Sequence, residues 1–495
     1  MIEVALPILI PFILMLASIL VRSTKISQWI GMAGSFLILF INGYLFSLLT
    51  QENMLTLYLG GWEAPYGIAF VIDFFSGLML IITGLIFLAI SIYAVHYFKN
   101  PKSHRFYFFF FALYMGVNGA FITGDVFNLY VWFEIMLISS FVLITLGQGK
   151  EQLEGAIKYL ALNLIGSLLF LAGLGLLYGK TGTLNMAHLA QILREDNQAI
   201  LMNSSAMLFF VAFGIKAGVF PLYYWLPASY HTPNIAITSL FAGILTKVGV
   251  YVLIRFFTLV FVQDQEFWHH LLLVIAGLTM VLGGMAASTF YETRRILSYH
   301  IISQVGYMIM GLGIFTPLAI AGAIFFTIHN MLAKTNTFLV SGVIAKFKGT
   351  FDLKSVGGLY NQSPLLAILF IIPAFALAGL PPLSGFFAKF VLIKAGIEDG
   401  HYVVTALAVL TSLLTLYSMI KIWNEAFLKK DPSNKPEAFS KMKFSVSDII
   451  PSAILGVSTI LMGLLAFKVF QYTMMAANQL VDASIYIKTV LNLPE

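Results

Sequence analysis

Apolar stretches of about eighteen residues or more recur from one end of this chain to the other, and no other feature constrains its folding as much. At 1.5 Å of rise per residue, a helix of that length crosses about 30 Å of hydrocarbon. Backbone groups in hydrocarbon must find partners within their own segment, so such stretches fold as helices. The composition agrees: hydrophobic residues fill 59% of 495 positions, charged residues 10%, and the mean hydropathy is +0.91. A soluble domain would carry roughly 25% charged residues. The expected fold is all-α and polytopic, with almost no soluble mass.

The formal net charge of +6 is therefore read by location, because short-loop Lys and Arg set orientation in a membrane. Nucleic acid is not an expected partner. The absence of cysteine excludes disulfides, thiolate-held iron–sulfur clusters and cysteine catalysis. The first residues, MIEVALPILIPFILMLASILV, lack a basic n-region and carry Glu3. They read as a retained first helix rather than a cleaved signal.

Windowed hydropathy predicts about fourteen crossings. They fall near 4–21, 27–49, 68–96, 106–124, 126–147, 155–179, 202–222, 232–259, 268–290, 295–314, 316–343, 364–395, 402–427 and 446–471, each boundary good to about 2–4 residues. LNMAHLAQILRE at 184–195 and the tail from 473 read as helices lying along the interface. Loops after odd-numbered crossings hold Arg22, Lys25, Lys99, Lys102, Arg105, Lys150, Arg294, Arg295, Lys346, Lys348, Lys354, Lys429, Lys430, Lys435, Lys441 and Lys443. Loops after even-numbered crossings hold little beyond Lys180 and Arg194. That bias puts the odd loops in the cytoplasm and both termini outside.

The seventh and twelfth crossings share a design. AFGIKAGVFPLYYWLP and ALAGLPPLSGFFAKF each combine glycine, proline and one lysine within an apolar span. Paired interrupted segments point to an inverted-repeat transporter. The expected division is 1–105 for the first three helices, 106–259 for a first five-helix repeat, 268–428 for a second, and 446–495 for the last helix and tail. The broken helices 7 and 12 would be equivalent members of the two repeats.

Five lysines fall inside predicted spans: Lys158, Lys216, Lys247, Lys334 and Lys389, with the acids Glu134 and Asp73. A lysine or aspartate at mid-membrane costs roughly 2.5–3.5 kcal/mol on insertion scales, so each needs a partner or a hydrated cavity. Snorkelling suits Lys394, Lys421 and Lys468, near span ends, and suits Lys216 and Lys247 poorly. An amine and a carboxylate 4 Å apart interact by roughly 4 kcal/mol at an effective dielectric of 20. That equals about three pKa units, enough for a buried lysine to gain or lose its proton as a carboxylate nears or recedes. Asp73 has no such role on this reading and is expected to be a satisfied core acid.

TIHNMLAKTNTF at 327–338 places Thr327, His329, Asn330, Lys334, Thr335 and Asn336 within one span, and Ser303, Gln304 and Tyr307 lie on the span before it. So many polar groups imply water, and a histidine among them can relay protons. GLLYGKT at 175–181 resembles a phosphate loop with the wrong glycine spacing. His269 and His270 with Asp264 and Glu266 read as a solvated loop rather than a metal site. No nucleophile–base pair or dinucleotide fingerprint stands out, so no metal, cofactor or enzymatic active site is expected.

The segments GDVFNLYVWFEIMLISS, GIKAGVFPLYYWLPASYHTPNIAITSLFAGILTKVGVY and AGLPPLSGFFAKF resemble those of the antiporter-like membrane subunits. That family includes the proton-pumping subunits of respiratory NADH:quinone oxidoreductase and the large subunits of multi-subunit Mrp-type Na⁺/H⁺ antiporters. The likeness covers nearly the whole chain, and LTKVGVYVLIRF with a length near 500 is most similar to the D-type Mrp subunits. It implies that Glu134 is the fifth-helix acid, Lys216 its seventh-helix partner, Lys247 the eighth-helix connecting lysine, His329 the central histidine and Lys389 the terminal residue. Lys158 and Lys334 would be further relay residues. It implies protons and Na⁺ as transported ions, other antiporter subunits and membrane lipid as partners, and a place in the cell membrane. The alternative within the family is a proton-pumping subunit of a redox complex.

Overall fold

The computed structural model describes residues 2–98, 103–147, 149–195, 199–432 and 444–494. Lys99, Lys102, Lys435, Lys441 and Lys443 lie outside these residues. Helices α1 (Leu6–Leu20) and α2 (Thr24–Glu52) come first, followed by a hairpin of β1 (Leu55–Tyr58) and β2 (Ala69–Ile72). Leu55 pairs with Ile72 and Tyr58 with Ala69, antiparallel. Hydropathy starts the third crossing at 68, whereas α3 spans Phe74–Tyr97. Asp73 ends the strand and caps the helix, accepting from Ser76 N at 2.9 Å. Hydropathy cannot tell a buried strand of four apolar residues from the first turn of a helix.

The chain continues through α4 (Ser103–Ile122), α5 (Val126–Thr145), α6 (Lys150–Thr181), α7 (Met186–Glu195) and α8 (Ala199–Ala217). The predicted seventh crossing, 202–222, stops early because Gly218 takes φ +76°, and α9 (Trp225–Ser229) resumes after a turn. Next come α10 (Ile235–Leu259), α11 (Gln265–Thr289), α12 (Thr293–Ile314) and α13 (Pro317–Lys348). The short α14 (Leu359–Gln362) precedes α15 (Pro364–Ala378) and α16 (Ser384–Glu398), the two halves of the predicted twelfth crossing. Gly379, at φ +88°, makes that break. α17 (Tyr402–Trp423) follows. The predicted last crossing, 446–471, is also two helices, α18 (Val446–Leu464) and α19 (Ala466–Val481), before α20 (Ala483–Val490).

Among the described residues, eleven helices are long and apolar enough to cross a membrane, and Asn203–Ala217 and Pro364–Ala378 are shorter apolar helices. α10 and α13 are the centre: every α10 residue from Ile235 to Leu259 and every α13 residue from Ala319 to Ile344 is buried. α13 packs against α10, α12, α16, α18 and α19. A helix enclosed on every side can hold polar groups only if they face one another or bound water. The tail departs from its interfacial reading, since α19 packs on α13 and α3. Gln479 anchors it there, accepting from Phe74 N at 3.1 Å and donating to Asn53 O at 2.8 Å.

Candidate functional site

The two helix breaks fix two lysines. Where α15 ends at Gly379, its last carbonyls lose their intrahelical donors. Lys389, one turn into α16, donates to Leu377 O at 2.9 Å and Ala378 O at 3.1 Å, with its ammonium 5.3 Å from the centroid of the Tyr307 ring. At the α8 break the Ile215 carbonyl instead accepts from Gly218 N at 3.2 Å and from Trp225 Nε1 at 2.8 Å. Lys216 therefore turns elsewhere, donating to Asn163 O at a long 3.4 Å and lying 5.6 Å over Phe133.

Lys216 borders a cavity of ≈ 20 Å³ shared with Phe133, Tyr159, Asn163, Trp225 and Gly249 among others. That volume is about enough for one water. Glu134 is half-buried, and its Oε1 has no hydrogen-bond partner. The charge of Glu134 acts on Lys216, but among the described residues no ion pair joins them. The structure therefore shows this couple separated.

The remaining amines converge on α13. Lys247, with no exposed surface, donates to Ala242 O at 2.6 Å on its own helix. Lys334 is equally enclosed, and its ammonium has no protein partner. His329 shares a 2.8 Å hydrogen bond between Nδ1 and Ser384 Oγ, while Nε2 is unpartnered. Lys334 lies within reach of the charges of Lys247 and Lys389, and His329 within reach of Lys334 and Lys389. Four expected residues, Lys247, Lys334, His329 and Lys389, thus form one buried group.

Unpartnered polar atoms crowd around it. Both amide atoms of Asn330, both of Asn336, Thr246 Oγ1, Ser303 Oγ, Gln304 Oε1 and Thr411 Oγ1 lack a protein hydrogen bond. An orphaned buried polar group costs about 1–3 kcal/mol, and ordered water is the usual remedy. The expectation of a hydrated eleventh crossing rests on these groups.

Lys158 is displaced from its expected place. Its side chain is 39% exposed and ion-paired with Glu154 on the same helix. It lies two turns into α6, whose helical start at Lys150 precedes the predicted span, so the side chain stands at the rim. That rim borders an open hollow of ≈ 400 Å³ with Glu151, Glu154, His231, Arg295 and Tyr299.

Two ionisable groups escaped the sequence reading. Arg255 Nη2 is ion-paired with Asp73 Oδ2 at 2.6 Å, with exposures of 7% and 1%, and the guanidinium lies over the rings of Phe75, Tyr251 and Tyr486. Asp73 is thus a satisfied core acid, and Arg255 is what satisfies it. The signal was present: an arginine inside the eighth predicted crossing, one turn short of its end. His300 is the second, fully buried on α12 with both ring nitrogens unpartnered. It too lies inside a predicted crossing, the tenth.

The fold is that of a multi-pass membrane protein with broken helices around a buried group of amines. The chain belongs to the NADH:quinone oxidoreductase/Mrp antiporter transmembrane family, whose model matches residues 123–415. It is 45% identical to the D-type subunit of the Na⁺/H⁺ antiporter of Alkalihalophilus pseudofirmus and 39% identical to that of Bacillus subtilis, covering 99% of each chain in both comparisons. Among solved structures it is similar to a chain of the Mrp complex from Dietzia, with a TM-score of 0.90, 28% identity, and 99% and 100% of the two chains covered. A chain of respiratory complex I from Thermus thermophilus shares the fold at a TM-score of 0.82, with 97% and 99% covered and 23% identity.

Proposed function

We propose that this chain is a proton-translocating subunit of a multi-subunit Na⁺/H⁺ antiporter in the cell membrane, a transporter rather than a catalyst, driven by the proton-motive force. The observation that carries the proposal is the buried group of amines around one imidazole, with no counter-ion among the described residues, beside a broken helix. A structural core would pair such charges, as Asp73 pairs Arg255. Unpaired amines are suited to exchanging protons, because neither protonation state is locked by a neighbour.

On this reading Lys216 exchanges its proton as Glu134 nears or recedes, and Lys247, Lys334 and His329 carry it across the centre to Lys389. The exposed Lys158 would act only at the rim. Residues 106–259 and 268–428 would be inverted repeats, each supplying one broken helix, and both termini would lie outside. The resemblance to the D-type antiporter chains supports a hetero-oligomer with Na⁺ as the exchanged cation. An elementary charge crossing 100 mV is worth about 2.3 kcal/mol, so proton influx drives cation efflux if more protons enter than cations leave.

Na⁺/H⁺ exchange in everted vesicles carrying the assembled complex tests this. Glu134→Ala and Lys216→Ala should each abolish exchange while the complex still assembles. Full exchange by either variant would overturn the assignment, and loss of assembly would favour a scaffold role. The fold shared with complex I favours one alternative, a pumping subunit of a redox complex. Quinone-dependent pumping without Na⁺ exchange would decide for it.

A further inference from the structure

His300 has no place in the relay just described, yet its helix begins as that of Glu134 does. Both residues lie on a helix whose first turn is tied down in the same way. In α5, Asp125 caps the helix by accepting from Asn128 N at 2.7 Å; in α12, Glu292 accepts from Arg295 N at 3.1 Å. Each cap residue also bridges to a strand-like partner, Asp125 to Asn185 and Glu292 to Asp352.

The flanking hydrogen bonds match in register. Val126 N donates to Leu184 O at 2.9 Å, and Thr293 N to Phe351 O at 3.0 Å. Met186 N donates to Gly124 O at 2.8 Å, and Leu353 N to Tyr291 O at 2.9 Å. That register sets His300 opposite Phe133 and Ile301 opposite Glu134, so His300 lies one residue short of the Glu134 position, at about 12 Å against about 13 Å beyond the caps. On the predicted crossings, the starts of α5 and α12 are separated by an odd number of passages. The two depths are then measured from opposite faces.

Each helix also presents an aromatic ring to the lysine of a broken helix: Phe133 of α5 to Lys216, and Tyr307 of α12 to Lys389. Glu134 bears on Lys216, and His300 is within reach of the charges of Lys389 and Lys334. A polar stripe links His300 to Lys389 along one face of α12. Ser303 and Gln304 follow at one turn and Tyr307 at two. Gln304 Nε2 donates to Thr415 Oγ1 at 3.3 Å, and the Tyr307 hydroxyl meets Ser412 Oγ at 2.8 Å. Ser303 Oγ, Gln304 Oε1 and both His300 nitrogens have no protein partner. A packing histidine would spend at least one nitrogen on a protein hydrogen bond, as His329 does on Ser384.

We infer that His300 is a proton-exchanging group in the second half of the molecule, passing a proton to or from Lys389 through the α12 stripe. The inference rests on the antiporter reading and adds a residue to it. Two positive charges in one buried site repel, so a proton on His300 and a proton on Lys389 exclude one another. The proton moves from imidazolium to amine or back, and no other group is consumed. Titratable or charged groups on the packed helices are Lys247, Tyr251 and Arg255 on α10, His329, Lys334, Lys346 and Lys348 on α13, Lys389, Lys394 and Glu398 on α16, and Tyr402, Tyr417 and Lys421 on α17. α11 adds Glu266, His269 and His270 in its first turns.

The test compares His300→Ala and His300→Gln in the whole complex, by Na⁺/H⁺ exchange in everted vesicles, beside Glu134→Ala and Lys389→Ala. Glutamine fills most of the imidazole's space and forms hydrogen bonds but carries no proton, so it rescues a structural histidine and not a relaying one. Both His300 variants should lose roughly a hundred-fold in exchange, the lower range for a positioned proton-transfer group. Full exchange by His300→Gln overturns the inference, and this variant decides the matter if His300→Ala fails to assemble. Retained exchange in Glu134→Ala and Lys389→Ala would instead sink the proton-path assignment beneath it.

Discussion

Replacing Asp73 separates structural charge from functional charge in this molecule. Its carboxylate does two things at once: Oδ2 meets Arg255 at 2.6 Å, and Oδ1 accepts from Ser76 N at 2.9 Å to cap α3. Removing one partner of a buried pair costs about 3–5 kcal/mol, because the survivor is left charged and uncompensated. After the change Arg255 keeps one side-chain partner, the Tyr251 hydroxyl at 3.2 Å, so little of that cost is recovered. Asn caps a helix as well as Asp does, so Asp73→Asn should lose only the ion pair, about 3–5 kcal/mol. Asp73→Ala also loses the cap, typically about 1 kcal/mol more. Mixed-micelle denaturation of the purified chain measures both. Exchange per assembled complex should stay near wild type, since this pair stands apart from the lysine group. Equal stabilities for the two variants would refute the division of labour, and wild-type stability in Asp73→Asn would refute the clamp.

Two further outcomes follow from the same geometry. A Cβ on Gly385 would lie 1.8 Å from Ala376 O and 2.8 Å from His329 Nε2, so Gly385→Ala must part α15 from α16 and push the imidazole aside. It should cost about 1–3 kcal/mol of stability and lower exchange, both measurable on the assembled complex. His231 lies in the connection after α9, where its Nδ1 meets Pro227 O at 2.8 Å and burial holds its imidazole below its ordinary value. On acidification the unfolded chain takes up that proton first, so stability is lost as pH falls from about 6.5 through the lower folded value. Thermal unfolding of His231→Gln should show a shallower acid-side fall, and an unchanged profile would count against it.

Much of the fold was legible because hydrocarbon leaves a chain few options. Hydropathy gave the helices, and the pairing of glycine, proline and lysine marked both breaks, although only the structure shows Gly218 and Gly379 as the turning points. Strand β2 was hidden inside an apolar run, since four buried residues carry no period. Lys158 and Lys216 looked alike in sequence, yet one reaches the rim and the other a small cavity. The direction a side chain takes depends on neighbouring helices, which no single stretch records. Arg255 carries no sign in the sequence of which acid it meets. Only the fold brings Asp73 and Tyr486 to it.

The relay stands or falls on Na⁺/H⁺ exchange by the Lys247→Met complex reconstituted in liposomes. Lys247 is enclosed, has no counter-ion among the described residues, and lies on α10, which packs against both α8 of Lys216 and α13 of Lys334. Methionine fills similar space and relieves a buried charge, so assembly should hold or improve. If protons pass through this amine, the complex stays intact and its exchange is abolished. An intact complex exchanging at the wild-type rate would show that protons take another route.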